Sequence, residues 1–329
     1  MLSLTSIMTQ LLLLLLNHIH KKLEMCSIEK ILVSIFLFNI LRLETYLCAK
    51  NNSKIIMEDA KENYKFLITG GYRPKIDNLV KYVVSIRGSN HRWFFGDDHK
   101  CGGSIISPKV ILTAAHCVCK RHSRIRLKPS DLTVVAGTPR RLVPTETTQV
   151  LKVDKIIRHV YYKPLTFRND IGILLLVKNI YEDGIAVQRI SLQTHPLPPY
   201  TKCTVLGWGR IFFRGPMPNE ILHVDVYIMP DNYCDARTDK YAFGMMCAGD
   251  LADPEKDSCS GDSGGPLICN GSVTGIVSFG VKCGIPEHVG YYTNVTSYLD
   301  WIRENGFSTL RPVNFILLVV LQIFLMRGV

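Results

Sequence analysis

No apolar run in the 329-residue chain reaches the roughly 20 residues that a helix needs to cross a bilayer. A polytopic membrane protein is therefore excluded. The chain has no internal repeat, and no low-complexity segment beyond the leucine run 11–16, which excludes solenoids and wholesale disorder. Acidic residues are in deficit, 28 against 39 Lys and Arg, giving a formal charge of +11. No helix or loop gathers those cations into a nucleic-acid reader, so no nucleic-acid partner is expected. Oxygen donors are sparse where a cation loop would need them: residues 137–152 hold one acid, Glu146. No His/Cys spacing of the zinc type occurs either, so neither metal nor cofactor is expected. Cysteine is the opposite case. Eleven is high for a cytosolic enzyme and points to an oxidising compartment.

Both ends of the chain are apolar. The runs 11–16 and 31–41 lie near the start. The second follows Lys30 and precedes Cys48-Ala49, so it reads as the core of a secretory signal, with Met1 or Met25 as the start. One hairpin-like anchor is the alternative, disfavoured by the polar residues between the runs. Residues 313–326 are mostly apolar and follow a short spacer with Gly306 and Ser308. They resemble a GPI attachment signal, with a short spanning helix as the alternative. These ends imply a protein that is secreted or held at the extracellular face of the plasma membrane. The sequons at Asn51, Asn270 and Asn294 predict a glycoprotein.

Between the ends, short alternating runs broken by Gly and Pro predict strands at 82–87, 132–137, 171–177, 204–207 and 275–279. Val295, Tyr298, Leu299 and Ile302 recur at helical spacing, with Thr296 or Ser297 as cap and Gly306 as stop. This is an all-β protein with a C-terminal α-helix.

Three segments carry the chemistry: Thr113-Ala-Ala-His116-Cys117, Asn169-Asp170-Ile171-Gly172, and Gly261-Asp262-Ser263-Gly264-Gly265-Pro266. Each alone reads blandly, as a structural His, a turn Asp and a Gly-rich turn. Together, in the order His, Asp, Ser, they resemble the trypsin/chymotrypsin-like serine proteases over residues 68–305. A serine hydroxyl is a poor nucleophile and needs a base, and an imidazole suits that task near neutral pH. The resemblance makes His116 the base, Asp170 its orienting partner and Ser263 the nucleophile, with backbone N–H groups of Gly261 and Ser263 as the oxyanion hole. It implies two antiparallel six-stranded β-barrels, and an enzyme acting through an acyl intermediate.

The resemblance also places Asp257, six residues before Ser263, at the base of a pocket for Arg or Lys, with Gly280 and Gly290 as its walls. Ser278-Phe279-Gly280 would pair with the substrate backbone, Phe279 standing where the family usually has Trp. The disulfides it implies are Cys101–Cys117, Cys203–Cys269, Cys234–Cys247 and Cys259–Cys283. Cys26, Cys48 and Cys119 are left over, and a Cys48–Cys119 pair is one guess. Ile68 resembles the mature N-terminus whose ammonium pairs with Asp262 in an activation switch. Leu67, rather than a basic residue, precedes Ile68. That departure motivates a second reading, a silent binding homologue locked in zymogen form. The implied layout is a hydrophobic leader at 1–48, a propeptide at 49–67 and a protease domain at 68–306. Within the last lie barrels at 68–185 and 186–294 and a helix at 295–305, and a hydrophobic tail at 307–329 follows. Partners implied are peptides or proteins with Arg or Lys before the scissile bond, an activating protease, serpin or Kunitz-type inhibitors, and a membrane through the tail. The basic run Lys120, Arg121, Arg124, Arg126 and Lys128 reads first as a solvated loop, second as an exosite.

Overall fold

The computed structural model describes residues 71–307 except Ile76, residues 90–92, His122 and Glu287. All of them fall within the compact unit Lys65–Val329. The expectations for the leader, Ile68, the propeptide, Cys26, Cys48, Asn51 and the tail lie outside the described residues.

Thirteen strands and two α-helices are present among those residues. The first six strands are β1 (Val83–Gly88), β2 (His99–Ser107), β3 (Val110–Thr113), β4 (Leu132–Ala136), β5 (Gln149–Arg158) and β6 (Gly172–Leu176). They close into a barrel in the order β1-β2-β3-β6-β5-β4. The rest are β7 (Ser191–Leu192), β8 (Lys202–Gly207), β9 (Leu222–Ile228), β10 (Met245–Gly249), β11 (Pro266–Cys269), β12 (Ser272–Phe279) and β13 (Gly290–Asn294). These run β11-β8-β9-β10-β13-β12, and pairing of β11 with β12 closes the second barrel. The seventh strand is an addition to the expected six: two residues of β7 pair in parallel on the edge of β12.

Burial explains why some strands were legible and others not. The five residues of β6 are all buried, a continuous apolar run with both faces covered. Strand β5 alternates along its first half, as a strand with one wet face does. Strand β2 opens with His99, Lys100, Cys101 and two glycines, and only Ile105 and Ile106 near its end are strongly apolar, too short a run to mark a nine-residue strand. Its glycines are explained by space: a Cβ at Gly103 would stand 2.7 Å from Ile111 Cγ2. The chain leaves β13 through a one-turn 3-10 helix (Val295–Tyr298) into α2 (Leu299–Gly306), the short α1 (Asp231–Asp235) lying earlier. The cap is Asn294, whose side chain accepts from the Thr296 N–H, rather than Thr296 or Ser297 as expected. Val295, Tyr298 and Ile302 are buried as the spacing predicts. Gly306 packs against Val110 and Ile173, so the last helix lies on the first barrel and ties the two halves together. No helix among the described residues is long and apolar enough to cross a membrane.

Candidate active site

His116 is fixed by both chain neighbours and a crosslink. Strand β3 ends at Thr113, whose hydroxyl donates to Gly102 O in β2 at 2.9 Å. The 3-10 turn Ala115–Val118 follows, and a disulfide pins Cys117 to Cys101 on β2. Asp170, two residues before β6, is fully buried and accepts three hydrogen bonds on its carboxylate. The donors are His116 N (2.9 Å), His116 Nδ1 (2.8 Å) and Ser278 Oγ (2.6 Å). Its carbonyl accepts from Thr293 Oγ1 at 2.8 Å. A carboxylate only accepts, so Nδ1 carries the proton and Nε2 presents its lone pair. Burial pushes the imidazole pKa down, but the charge and hydrogen bond of Asp170 outweigh it and hold it above the ordinary value. Ser278, expected in the strip facing substrate, thus also holds Asp170 from the second barrel.

Ser263 enters from the second barrel on the loop before β11. Its carbonyl accepts from Gly102 N at 2.8 Å, which docks the loop onto β2. Gly264 has φ +78°, and a Cβ there would lie 2.2 Å from Thr113 Oγ1. Only glycine permits that approach. Ser263, His116, Ser278, Phe279 and Gly280 line one cleft. No hydrogen bond joins Ser263 to His116 among the described residues, although they share that cleft. Gly261 has φ +113° and no room for a side chain, its Cβ position lying 2.9 Å from Gly209 Cα.

Asp257 is buried and does not itself line the cleft, although its neighbour Ser258 does. Its Oδ2 accepts from Gly284 N at 3.3 Å, and its Oδ1 has no partner. Burial pushes the carboxyl pKa up to about 7, partly opposed by the Gly284 and Ser258 N–H groups, with Asp262 adding to the rise. A Cβ at Gly290 would stand 3.1 Å from that Oδ1 and 2.9 Å from Tyr292 Oη. At Gly280 a Cβ would meet only Lys282 O, at 3.3 Å. Phe279 lies flat on Tyr291 (centroids 4.7 Å apart) and stacks on Phe167 (5.1 Å). The latter makes a T-shaped contact with His116 and has φ +56°, unusual for an aromatic residue.

Asp262 is almost fully buried, and its carboxylate accepts from Gly209 N (2.7 Å) and Cys259 N (2.9 Å). Burial pushes its pKa up to about 6 against those two bonds. Gly207 and Gly209 make its niche: a Cβ on either would come within 2.2 Å of the carboxylate. The remaining disulfides join Cys203 to Cys269, Cys234 to Cys247 and Cys259 to Cys283. Cys119 is a buried free thiol, raised to about 11 by burial. The sulfurs of Cys101 and Cys117 lie within metal-binding reach of His116, but the disulfide uses both. Asn270 is exposed at the β11–β12 turn, whereas the Asn294 side chain is occupied as a helix cap. Lys120, Arg121, Arg124, Arg126 and Lys128 are exposed.

His99, Ser85, Gly207 and Gly209 were not among the residues expected at the site, although the Gly-Trp-Gly run at 207–209 is a usable signal for the two glycines. A lone His on a strand carries none.

The chain is similar to known proteins over most of its described length. The Trypsin family model matches residues 68–302. Human "Putative trypsin-6" is 36% identical over 239 residues, covering 72% of this chain and 88% of that protein. Rat "Trypsin-4" is likewise 36% identical, with 72% and 89% covered. Human "Tissue-type plasminogen activator" is 37% identical over 66% of this chain and 41% of its own length. Two barrels, a cleft holding His116 and Ser263, and similarity over nearly the whole described region lead to one conclusion: the chain belongs to the trypsin family and is a serine endopeptidase.

Proposed function

We propose that the protein hydrolyses peptide bonds after Arg or Lys, using His116, Asp170 and Ser263 through an acyl-enzyme. The observation that carries the specificity is the unpartnered, buried Asp257 Oδ1, with Gly290 beside it lacking the Cβ that would crowd that oxygen. A long cationic side chain would supply the missing donor. His116 Nε2 takes the Ser263 proton as Oγ attacks the carbonyl carbon; the Ser–His bond forms as substrate dries the cleft. The tetrahedral oxyanion accepts from the N–H groups of Gly261 and Ser263. The proton then passes from Nε2 to the leaving amine as the C–N bond breaks. Water, deprotonated by the same nitrogen, releases the acid and returns the proton to Ser263.

Secretion as a zymogen belongs to this reading. Four disulfides fit an oxidising compartment, and the caged Asp262 suits an ammonium freed at Ile68. Leu67 then requires an activator that does not cut after basic residues. Glycosylation, the membrane tail, inhibitors of the serpin or Kunitz type and the layout at 68–306 are part of the same proposal.

The test is the full-length chain, secreted from cultured cells and processed, assayed on amides ending in Arg, Lys, Phe or Leu. Cleavage of the first two, with Ser263 labelled by a fluorophosphonate and labelling lost in Ser263→Ala, supports the reading. No turnover and no labelling leaves the silent binding homologue.

A pH prediction separates pocket from triad. Benzamidine is a cation that needs the ionised Asp257. With that carboxyl near pH 7, binding is expected to weaken as pH falls, about 30-fold between pH 8 and 5.5. Inhibition constants measured across that range check it; a flat profile would remove Asp257 from the site.

A further inference from the structure

The Gly261 peptide is held by two chains of contact, and both start at one buried arginine. Arg141 lies on the loop 137–148 between β4 and β5 and is 9% exposed. Its guanidinium donates to three backbone carbonyls: Gly96 O (2.8 Å), Pro218 O (2.8 Å) and Met217 O (3.1 Å). The first carbonyl belongs to the loop between β1 and β2, the other two to the loop between β8 and β9. Three loops of two barrels thus meet on one side chain. The Arg141 N–H adds a bond to Asn219 O at 2.8 Å.

The first chain is short. Met217, whose carbonyl Arg141 holds, rests its Cε 3.1 Å from where a Gly261 Cβ would be. The second is a hydrogen-bond relay. Arg141 O accepts from Arg87 Nη2 at 2.9 Å, and Arg87 Nε donates to Ser85 Oγ at 3.0 Å. Ser85 Oγ is 2.8 Å from His99 Nδ1, and His99 Nε2 is 3.0 Å from Gly261 O. The directions are fixed. A carbonyl only accepts, so Nε2 carries the His99 proton, and in the neutral ring Nδ1 accepts from the Ser85 hydroxyl. Burial between two guanidiniums keeps that ring neutral, its pKa pushed down to about 4.

We propose that Arg141 is a positioning residue for the oxyanion loop, fixing the Gly261 peptide through Met217 on one side and through Arg87, Ser85 and His99 on the other. It rests on the oxyanion role proposed for Gly261. Two buried guanidiniums, Arg87 at 2% exposure and Arg141, are costly to desolvate. Packing alone would be served by Leu or Met. What Arg supplies is a planar fork that reaches three carbonyls at once, which Lys cannot do. Gly96 shows how close the fit is: with φ +87°, its Cβ position is 1.9 Å from Arg141 O.

The experiment compares wild type, Arg141→Met, Arg141→Lys and Arg87→Met, all as the processed full-length chain with active sites titrated. Two inhibitors divide the site. Benzamidine reads the Asp257 pocket; an arginine aldehyde adds a hemiacetal oxyanion that needs the Gly261 N–H. For Arg141→Met, kcat on an Arg anilide is expected to fall about 30-fold with KM within about twofold. Aldehyde binding should weaken by that same factor, and benzamidine binding should stay within about twofold. Arg141→Lys should fall between, and Arg87→Met should show the same split more weakly. If Arg141→Met does not fold, Arg141→Lys decides, because Arg87 hangs on the main-chain carbonyl of Arg141 and Arg87→Met reads the relay alone. Aldehyde and benzamidine weakening together, or neither changing, overturns the proposal. A wild type that neither labels nor cleaves overturns the proposed function, and this inference with it.

Discussion

Asp170→Asn is expected to lower kcat by about 10⁴-fold with little change in KM. The loss follows from proton placement. Asp170 takes His116 Nδ1–H and the Ser278 hydroxyl on Oδ2, and the His116 backbone N–H on Oδ1. An amide of the same shape has one acceptor oxygen and one NH₂. The backbone N–H and the NH₂ cannot face each other, so the oxygen takes the Oδ1 side and the NH₂ takes the Oδ2 side. There it donates to Nδ1, which must give up its proton. The proton moves to Nε2, and the ring can no longer accept from Ser263. The imidazolium also loses the charge that raises its pKa. The acid limb of kcat should therefore move to lower pH while the plateau drops. Pre-steady-state acylation rates between pH 5 and 9 check both; a variant within tenfold of wild type at every pH would remove Asp170 from the mechanism. Stability should change far less than activity, because the shape and most of the bonds survive.

The parts of the molecule legible in the sequence are those where one residue type has one physical use. The Gly-Asp-Ser-Gly-Gly-Pro run was readable because Gly261 and Gly264 need positive φ and bare backbone. Strands β4 and β6 were readable because their cores are apolar throughout. Strands β2 and β10 were not. Apart from Ile105 and Ile106 near the end of β2, their buried residues are mostly glycine, cysteine, methionine and alanine, with His99 and Ser104; these carry weak strand preference, and tertiary closure decided the matter. The pocket acid was reachable only through the resemblance, since Asp257 looks like any loop acid until its burial is known. Ser85, His99 and Arg87 were invisible for a different reason. Their meaning lies in a relay whose longest step joins residues 162 positions apart, and no local pattern marks it. The stacked Phe167 and Phe279 are a middle case: the departure from Trp at 279 was seen, its partner was not.

Asp257→Ser should lower kcat/KM for Arg and Lys substrates by about 10³-fold, and relatively favour uncharged residues. The wild-type pocket keeps one carboxylate oxygen buried and unpaired, and a guanidinium or ammonium completes it. Without that partner the substrate's own charge is stranded in a desolvated slot, a loss on the order of 3–5 kcal/mol. The free enzyme should show the opposite effect. Asp257 is raised to about 7 in the folded chain from an ordinary value near 4, because burial disfavours its charge. A folded carboxyl with a raised pKa binds its proton more tightly than the unfolded chain does. Its contribution to stability is present at low pH and is lost as pH climbs from about 4 to about 7. At pH 8 the empty pocket therefore carries an unfavourable ionisation on the order of 4 kcal/mol, which Ser at 257 does not have. Melting temperatures across pH 4–8 should show the variant gaining on wild type as pH rises, with benzamidine closing the gap by stabilising wild type alone. If the variant loses stability at pH 8 while keeping its preference for Arg, then Asp257 is structural, and the origin of basic specificity must be sought elsewhere in the cleft.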